Sequence, residues 1–536
     1  MNLVDQPAPQ VKIEQGILSG KISGDGSFFE YLGIPYATTN SSLRFKAPLP
    51  PPSWQGIYKA VDEIYQCPQL STVFGVVGSE DCLKINVYVP AKAKKPLPVM
   101  VYIHGGGFTI GNGGKLLYAP DFLIKHDVIL VTFNYRLGAL GFLCLGIKEA
   151  PGNAGIKDQI AALKWIKKNI AAFGGDPNNI TIFGQSAGAT SASLLLASET
   201  TDGLFHKAII QSGTSTSSWA INRQPLWVAS LIAKDLGYDT KNPEELYQIL
   251  SKTSYQSLIK SKPRKPLGMY FDTQMLHYPC VEQKIEGEDA VITDFPFNIF
   301  ENDPIKNIPV IYGTTSKEGI FLLPDDTKES LAARDARYMF ASDLQFPSEE
   351  EAANVSQMAR EYYFGDKKVS FDVHDIVADL NTELYFEVPA ILESQTLANN
   401  SKAKVYNYYF NYAGGRNILK SIVGLFGFKT EKGAIHGDEL MYLFKGIIWP
   451  FPINEKDQAV VNLMSKLWTN FAKYSEPTPN GDLPIKWEPS TKESTRFLYI
   501  EDNLRMGSFP NLEAYHLWKN IYEKYRKKNK PNDFTE

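Results

Sequence analysis

Ile180-Thr181-Ile182-Phe183-Gly184-Gln185-Ser186-Ala187-Gly188-Ala189 joins a β-branched run to a Gly-x-Ser-x-Gly sequence. A helix of small residues is predicted directly after it, at 187–197. This strand–turn–helix order is the context of a nucleophile elbow, a sharp turn that exposes a serine hydroxyl. Gly184 and Gly188 have no Cβ atoms to collide as the chain reverses direction. The pattern therefore predicts Ser186 as a nucleophile.

A second glycine-rich segment, Val101-Tyr102-Ile103-His104-Gly105-Gly106-Gly107-Phe108, lies about 80 residues upstream and also follows a predicted strand. Consecutive glycines leave backbone N–H groups free to converge on one point, as stabilisation of an oxyanion requires. The alternatives are a flexible glycine turn and a phosphate-binding loop. The phosphate loop is disfavoured because Gly113-Gly114-Lys115-Leu116 lacks the Ser or Thr that would hold Mg²⁺.

A serine nucleophile needs a histidine base, and in this class of site the order along the chain is serine, acid, histidine. Five histidines follow the serine: His206, His277, His374, His436 and His516. His374 and His516 fall in helix-like stretches, His206 precedes the next strand, and His277 lies in an insertion. His436 stands between glycine-flanked loop residues after a strand, where catalytic groups are commonly found. We therefore predict His436 as the base.

The orienting acid is predicted at Glu318, which follows the predicted strand at 308–311 and lies between Ser186 and His436 in the sequence. Its role would be to hold the imidazole tautomer and to stabilise the imidazolium. The alternative is a surface glutamate beside Lys317. Spacing alone does not separate these two interpretations.

Short apolar strand-like runs alternate with stretches of helical periodicity along most of the chain. The predicted strands are at 83–89, 98–103, 128–133, 180–183, 207–210, 308–311, 404–409 and 496–500. Strands that are apolar on both faces and separated by helices indicate a mainly parallel α/β sheet flanked by helices. Residues 21–37 are predicted as antiparallel hairpins at one edge. We interpret 1–536 as one domain, with insertions at about 215–307 and 321–403 that cover the pocket.

Composition excludes several classes of protein. The 536 residues are 43% hydrophobic and 21% charged, which is typical of a globular chain, and the formal charge of −4 gives no reason to expect nucleic-acid binding. No apolar run is long enough to span a membrane. The start of the chain, residues 1–7, lacks the pattern of a secretory leader, so we expect a cytoplasmic protein, or a secreted one if the precursor carries a leader.

Four cysteines do not make a disulfide scaffold, and Cys144 lies in an apolar segment that predicts a buried thiol. No cluster of Cys and His indicates a metal, and the chemistry predicted for Ser186 needs no cofactor. We expect a small-molecule partner and a monomer or weak homodimer.

Taken together, these motifs resemble the type-B carboxylesterase and cholinesterase family of α/β hydrolases. The resemblance covers essentially the whole chain, because the matching stretches are collinear. They are Tyr31-Leu32-Gly33-Ile34-Pro35-Tyr36-Ala37, Leu43-Arg44-Phe45, Ser79-Glu80-Asp81-Cys82-Leu83, 104–108, Asn134-Tyr135-Arg136-Leu137-Gly138, Phe173-Gly174-Gly175-Asp176-Pro177, 185–189, Lys317-Glu318-Gly319 and Ile435-His436-Gly437.

The resemblance implies the α/β-hydrolase fold and a role for individual residues. The implied triad is Ser186, Glu318 and His436, and the implied oxyanion hole is formed by Gly106, Gly107 and Ala187. It also implies ion pairs of Arg44 with Glu80 and of Arg136 with Asp176. A disulfide between Cys67 and Cys82 is implied too, which is at odds with a cytoplasmic location.

The predicted pocket residues, and the positions at which the sequence departs from the family pattern, limit the classes of substrate that we expect. The expected lining is apolar: Phe108, Trp219, Phe426 and Phe428. Cholinesterases carry a Trp between the two matched cysteines to bind quaternary ammonium, and none lies between Cys67 and Cys82, which disfavours acetylcholine. Gln185, where many relatives have Glu, resembles insect juvenile-hormone esterases. A looser resemblance is to insect carboxylesterases that act on xenobiotic or lipid-like esters.

The sequence thus predicts a serine carboxylesterase that hydrolyses carboxylic esters through an acyl-enzyme. The main alternative is a protein on the same fold that sequesters esters or organophosphates and turns over slowly. A non-catalytic adhesion protein is disfavoured, because all three predicted catalytic residues are retained. A lipase that acts at interfaces is a further alternative, distinguished by its response to substrate micelles.

Overall fold

A computed structural model of the chain describes residues 7–528 except 64, 93–95, 267, 303–305, 449–450 and 482. Most of the N-terminal stretch on which the leader prediction rests, residues 1–6, lies outside the described residues. Of the described helices, none combines the length and the apolar character that crossing a bilayer requires.

Sixteen strands and fifteen α-helices are found in the described residues. The strands are β1 (Gln10–Ile13), β2 (Gly16–Ser19), β3 (Lys21–Ile22), β4 (Phe28–Pro35), β5 (Ile57–Lys59), β6 (Gln69–Ser71), β7 (Gly75–Val77), β8 (Lys84–Pro90), β9 (Leu97–Ile103), β10 (Ile129–Phe133), β11 (Gly175–Gln185), β12 (Lys207–Gln211), β13 (Val310–Thr315), β14 (Val405–Phe410), β15 (Phe497–Ile500) and β16 (Arg505–Gly507). The helices are α1 (Lys115–Tyr118), α2 (Gly138–Phe142), α3 (Ala154–Asn169), α4 (Ala187–Ala197), α5 (Pro225–Asp235), α6 (Pro243–Lys252), α7 (Tyr255–Lys260), α8 (Pro296–Asn302), α9 (Lys328–Asp335), α10 (Glu349–Tyr363), α11 (His374–Thr382), α12 (Val388–Asn400), α13 (Ile418–Leu425), α14 (Glu455–Tyr474) and α15 (Leu512–Tyr525).

Eleven strands form one large sheet in the order β16-β15-β14-β13-β12-β11-β9-β10-β8-β4-β3. From β15 to β10 every neighbouring pair is parallel. The outer pairs β10–β8, β8–β4, β4–β3 and β15–β16 are antiparallel. Parallel strands all end at the same edge of a sheet, so the loops after β11, β13 and β14 lie close together.

The predicted strands are confirmed, each within a few residues, except that β11 begins five residues earlier than predicted. The helix predicted at 187–197 is confirmed as α4, and the antiparallel edge predicted at 21–37 is confirmed by the pairing of β3 with β4. The fold is therefore α/β, with a large mixed sheet whose centre is parallel.

Both faces of the sheet are buried, which explains the near-continuous apolar strands. In β9, Val99, Val101 and Ile103 pack into one core and Met100 and Tyr102 pack into another. Alternate side chains of a strand point to opposite faces, so each core lies on one side of the sheet. Helices α3 and α4 contribute to the first core and α14 contributes to the second.

Two disulfides link distant parts of the chain. Cys67 and Cys82 are bonded across 15 residues, and Cys144 is bonded to Cys280 across 136 residues. The interpretation of Cys144 as a free buried thiol is therefore wrong. Its partner lies in the 215–307 insertion, and so large a separation carries no local pattern from which the pairing could be predicted.

Two arginines, Arg44 and the buried Arg136, hold the loops around the sheet. Arg44 forms a bidentate ion pair with Glu80, at 2.8 and 2.9 Å. Arg136 does not pair with Asp176 as the resemblance implied; its guanidinium binds Asp158 of α3, with distances of 2.6 and 2.8 Å. Arg136 follows the carboxyl end of β10, whereas Asp176 lies at the amino end of β11, which is the opposite edge of the sheet.

We predict that the Cys144–Cys280 bond contributes more stability than the Cys67–Cys82 bond. Closing a loop of 136 residues removes more entropy from the unfolded chain than closing one of 15, which corresponds to about 5 against about 3 kcal/mol in the chain-entropy account. Thermal unfolding of the Cys144→Ala/Cys280→Ala pair and of the Cys67→Ala/Cys82→Ala pair measures the difference. A larger loss of melting temperature in the second pair would contradict this ranking.

Candidate active site

Ser186 lies in the turn between β11 and α4, with φ 59° and ψ −127°. A positive φ is uncommon for a residue with a side chain, and when such a residue persists the surroundings must hold it in place. The backbone N–H of Ser186 donates to the carbonyl of Gln211 at 2.9 Å, which fixes the turn to β12. Residues 180–196 are buried apart from Ser186, which keeps partial exposure.

Two glycines let the chain turn this tightly. A Cβ added to Gly184 would lie 2.4 Å from the carbonyl of Gly188, and a Cβ on Gly188 would lie 2.0 Å from the carbonyl oxygen of Ile103. Both distances are far below van der Waals contact. A side chain at either position would push α4 away from the sheet and move Ser186.

The glycine loop that follows β9 packs directly against the serine turn. A Cβ on Gly105 would lie 2.6 Å from the carbonyl oxygen of Gln185 and 3.1 Å from Cβ of Ser186. The N–H groups of Gly106 and Gly107 have no hydrogen-bond acceptor among the described residues. Ala187 is the first residue of α4, so its N–H has no partner within the helix. These three N–H groups are therefore not used by other described backbone groups.

His104 stabilises the conformation of this glycine loop. It is buried, its ring stacks on Tyr135 with centroids 4.4 Å apart, and its Nδ1 donates to the carbonyl of Gly105 at 2.9 Å. Burial lowers the pKa of His104 to about 4. A neutral imidazole at this position fixes the conformation of the glycines without adding charge near Ser186.

Glu318 and His436 are joined by a short hydrogen bond. His436 Nδ1 donates to Glu318 Oε2 at 2.6 Å, and Glu318 is fully buried. The second carboxylate oxygen of Glu318 accepts the N–H of Thr315 at 2.7 Å, which ties it to the end of β13. The two loops are held together by a bridge between Lys317 and Ile435. The pair is thus fixed by backbone contacts as well as by its own bond.

The other ring nitrogen of His436 faces Gln185. With Nδ1 protonated towards Glu318, Nε2 is an acceptor, and the Gln185 side-chain amide donates to it at 3.1 Å. Among the described residues, no hydrogen bond joins Ser186 Oγ to His436. The imidazole therefore lies next to the serine turn. The lone pair of its Nε2 accepts a hydrogen bond from Gln185, the residue immediately before the serine.

Two phenylalanines enclose the imidazole, and the sequence analysis predicted neither of them. Phe321 stacks on His436 with ring centroids 4.2 Å apart, and Phe386 lies 4.9 Å away. Phe321 follows Glu318 on the same 3-10 turn, so its spacing from the acid was a usable signal. Phe386 lies on a π-helical turn, Glu383–Glu387, between α11 and α12, and no local pattern indicates where that turn packs.

Of the four predicted lining residues, only Trp219 adjoins this aromatic pair. Its ring lies 5.9 Å from that of Phe386, and its indole N–H donates to the carbonyl of Tyr385 at 3.0 Å. Phe108 is fully buried and packs on Phe142. Phe426 is 67% exposed at the end of α13. Phe428 contacts Phe371 and His374, away from His436.

Two further carboxyl groups surround Glu318 in the interior. Burial raises the pKa of Glu439 to about 8, and the charge of Glu318 adds to the rise. Burial also raises the pKa of Glu387 well above its ordinary value, with contributions from Glu383 and Glu318. Like charges in a buried site disfavour joint ionisation, so the protonated forms of Glu439 and Glu387 are favoured.

A mixed sheet with a serine on a strand–turn–helix elbow and a buried His–Glu pair at the same edge defines an α/β hydrolase. The sequence matches the carboxylesterase family over residues 7–518, and the chain belongs to this family. It is a carboxylic-ester hydrolase.

Relatives and a solved structure agree with this placement. Human bile salt-activated lipase is 34% identical over 506 residues, which is 89% of this chain and 64% of that protein, so the match spans just under two thirds of its length. Juvenile hormone esterase of Heliothis virescens is 34% identical over 496 residues, covering 87% of this chain and 85% of that protein. The crystal structure of juvenile hormone esterase from Manduca sexta superposes with a TM-score of 0.85 at 29% identity, covering 96% of this chain and all of that one.

We predict that Gln185→Glu shifts the acidic limb of the pH–rate profile to higher pH. A carboxylate 3.1 Å from Nε2 of His436 would stabilise the imidazolium and raise its pKa, so the neutral base would form only at higher pH, by about one unit. The measurement is kcat/KM for p-nitrophenyl acetate from pH 5 to 9. Gln185→Met, which has a similar size and no charge, is the matched control. An unshifted limb would mean that Gln185 does not face the titrating base.

Proposed function

We propose that Ser186 is the nucleophile of this esterase, His436 its general base and Glu318 the acid that orients the base. The observation that carries the proposal is the 2.6 Å bond from His436 Nδ1 to a fully buried Glu318 at the edge where the Ser186 turn emerges. A carboxylate in this position holds the tautomer whose Nε2 can accept a proton.

Ser186 Oγ attacks the ester carbonyl while His436 Nε2 takes its proton. The Gln185 amide that now occupies Nε2 must give way to the serine hydroxyl, since one lone pair cannot accept both. Hydrogen bonds of this kind often tighten only when substrate is bound. His436 then protonates the departing alcohol, leaving an acyl-enzyme, and a water molecule repeats the cycle to release the acid.

The negative charge that develops on the carbonyl oxygen would be stabilised by the N–H groups of Gly106, Gly107 and Ala187. Three observations support this role. The N–H groups of Gly106 and Gly107 have no acceptor among the described residues, the glycine loop packs against Ser186, and Ala187 is the first residue of α4. Donors fixed before the reaction need no reorganisation as the charge appears, and removing one typically costs 10²–10³ in rate.

We propose that the substrate is an apolar ester, of the xenobiotic, lipid-like or hormone kind. Phe321, Phe386 and Trp219 surround the base with aromatic surface. Both juvenile hormone esterases named above are similar to this chain over most of their length. The loop closed by Cys67 and Cys82 carries no Trp, which disfavours quaternary ammonium substrates. Hydrolysis rates across a series of methyl esters of increasing acyl length, compared with acetylcholine, test this preference.

The insertions at about 215–307 and 321–403 are proposed to cover the pocket, since they supply Trp219 and Phe386 respectively. The two disulfides support a secreted protein rather than the cytoplasmic location expected first, because such bonds persist in oxidising compartments. A monomer or weak homodimer remains the prediction for the oligomeric state.

We predict that Ser186→Ala abolishes hydrolysis of p-nitrophenyl butyrate and labelling by a fluorophosphonate probe. Removing the hydroxyl removes the nucleophile and leaves the oxyanion donors in place, so residual activity should be lower by 10⁵ or more. Ser191→Ala, on the same helix, should keep full labelling. Labelling of Ser186→Ala at the wild-type level would overturn the assignment. In the wild-type enzyme, release of one equivalent of p-nitrophenol followed by a flat line would favour sequestration of the ester over turnover.

We predict that Glu318→Gln lowers kcat by up to about 10⁴ with little change in KM, since the amide no longer stabilises the imidazolium or the correct tautomer. Asp379→Asn is the matched control, because it removes a neighbouring carboxylate, paired with Lys317, that does not touch His436. The measurement is kcat and KM of the two variants by steady-state kinetics. A loss below tenfold in Glu318→Gln, or an equal loss in the control, would assign the acid elsewhere.

A further inference from the structure

A cavity of about 730 Å³ lies between the 215–307 insertion, the segment 337–352 and Lys527 near the C-terminus. Buried residues such as Trp219, Leu276 and Tyr278 form its floor, and exposed residues such as Pro266 and Gln345 form its mouth. Ser186, Glu318 and His436 do not line it. The volume is in the range of pockets that bind drug-sized molecules.

This cavity shares a wall with the candidate active site. Trp219 lines it and also contacts Phe386, which contacts His436. On a second side, Leu276 lines the cavity while its neighbour Met275 lies against the glycine loop, with Sδ 3.1 Å from a Cβ added at Gly107. The cavity is therefore separated from His436 by the side chains of Trp219 and Phe386.

The cavity is positively charged. Of the described residues that line it, four are cationic and two are carboxylates, which leaves a net charge of +2. The cations are Arg223, Lys265, Arg337 and Lys527. Both carboxylates already have partners, since Asp272 accepts the N–H of Ser342 at 3.0 Å and Glu349 accepts the Tyr338 hydroxyl at 2.7 Å. The lining thus has unused donors and few free acceptors.

Arg223 gives the strongest indication of an anion site in this cavity. Its guanidinium stacks on Phe295 at 4.4 Å, and among the described residues it makes no hydrogen bond and no ion pair within 4.0 Å. Its buried Nε and Nη1 have no acceptor, and neither has Nε of Arg337. Burial lowers the pKa of Arg223; the charge of Asp343 offsets this only in part, and the charge of Arg526 lowers the pKa further. A desolvated, unpaired cation is costly, so a counter-charge is expected.

We propose that this cavity binds an organic anion, with a carboxylate or phosphate head on Arg223 and Arg337 and an apolar body against Trp219, Trp227 and Tyr278. Guanidinium groups match such heads in a bidentate manner. The aromatic walls account for the apolar body, and the +2 charge accounts for selection of an anion over a neutral molecule of the same shape.

The test is calorimetric titration of the whole protein with dodecanoate, dodecyl phosphate and dodecanol. We expect at least one of the two anions to bind and the alcohol to bind at least tenfold more weakly. The comparison of dodecanoate with dodecyl phosphate identifies the head group. Equal binding of dodecanol, or no binding of either anion, would overturn the proposal.

Variants separate this cavity from the active site. Arg223→Gln should weaken anion binding at least tenfold and leave hydrolysis of p-nitrophenyl acetate unchanged, and Lys265→Gln, at a less buried position, should weaken it if Arg223→Gln fails to fold. Arg505→Gln, an exposed residue paired with Glu501, and Phe321→Ala, beside His436, should both keep wild-type binding. Loss of binding in Phe321→Ala with none in Arg223→Gln or Lys265→Gln would place the anion in the active site and refute the proposal.

Discussion

The backbone contact between α4 and β9 is the constraint on which the site depends. Gly188 approaches the carbonyl of Ile103 so closely that no side chain fits, and this approach sets the start of α4 against the end of β9. Ser186 joins β11 to α4 and takes a positive φ in this turn. Ala187 and the glycine loop are then brought to the same side of the serine, and the sheet supplies the rigidity that holds all three.

The loops after the parallel strands β13 and β14 place the other two groups of the site at the same edge of the sheet. Glu318 follows β13 and His436 follows β14, and the bridge between Lys317 and Ile435 brings these loops into contact. The interior around Glu318 is crowded with carboxyl groups, but burial favours protonation of Glu439 and Glu387. In their neutral forms Glu439 and Glu387 place no further charge beside the pair of Glu318 and His436.

The sequence predicted the parts of this arrangement that are local. A strand, a glycine turn and a helix in succession indicate an elbow around Ser186, and a glutamate or histidine that follows a strand falls at the correct edge. Contacts between distant segments were not predictable in the same way. Asp158 rather than Asp176 pairs with Arg136, because which edge of the sheet a loop occupies depends on strand direction and order, and neither is visible in spacing.

The aromatic residues around His436 show the same limit of prediction from local sequence. Phe386 reaches His436 from a π-helical turn, and the extra residue in that turn redirects the side chains that follow it. Periodicity describes a regular helix, so it cannot indicate which face an irregular one presents. Phe108 packs on Phe142 and Phe426 is exposed at the end of α13, so the role of these two residues as pocket lining stays a prediction.

The bond between Cys144 and Cys280 also determines what proteolysis can release. The exposed stretch around Lys262 and Arg264 lies inside the loop that this bond closes, together with α5, α6 and α7. A protease that cleaved there would leave both fragments covalently attached, so a nicked molecule would keep its mass until it was reduced. Helices α5, α6 and α7 and the strands of the sheet would remain one molecule even with a broken backbone.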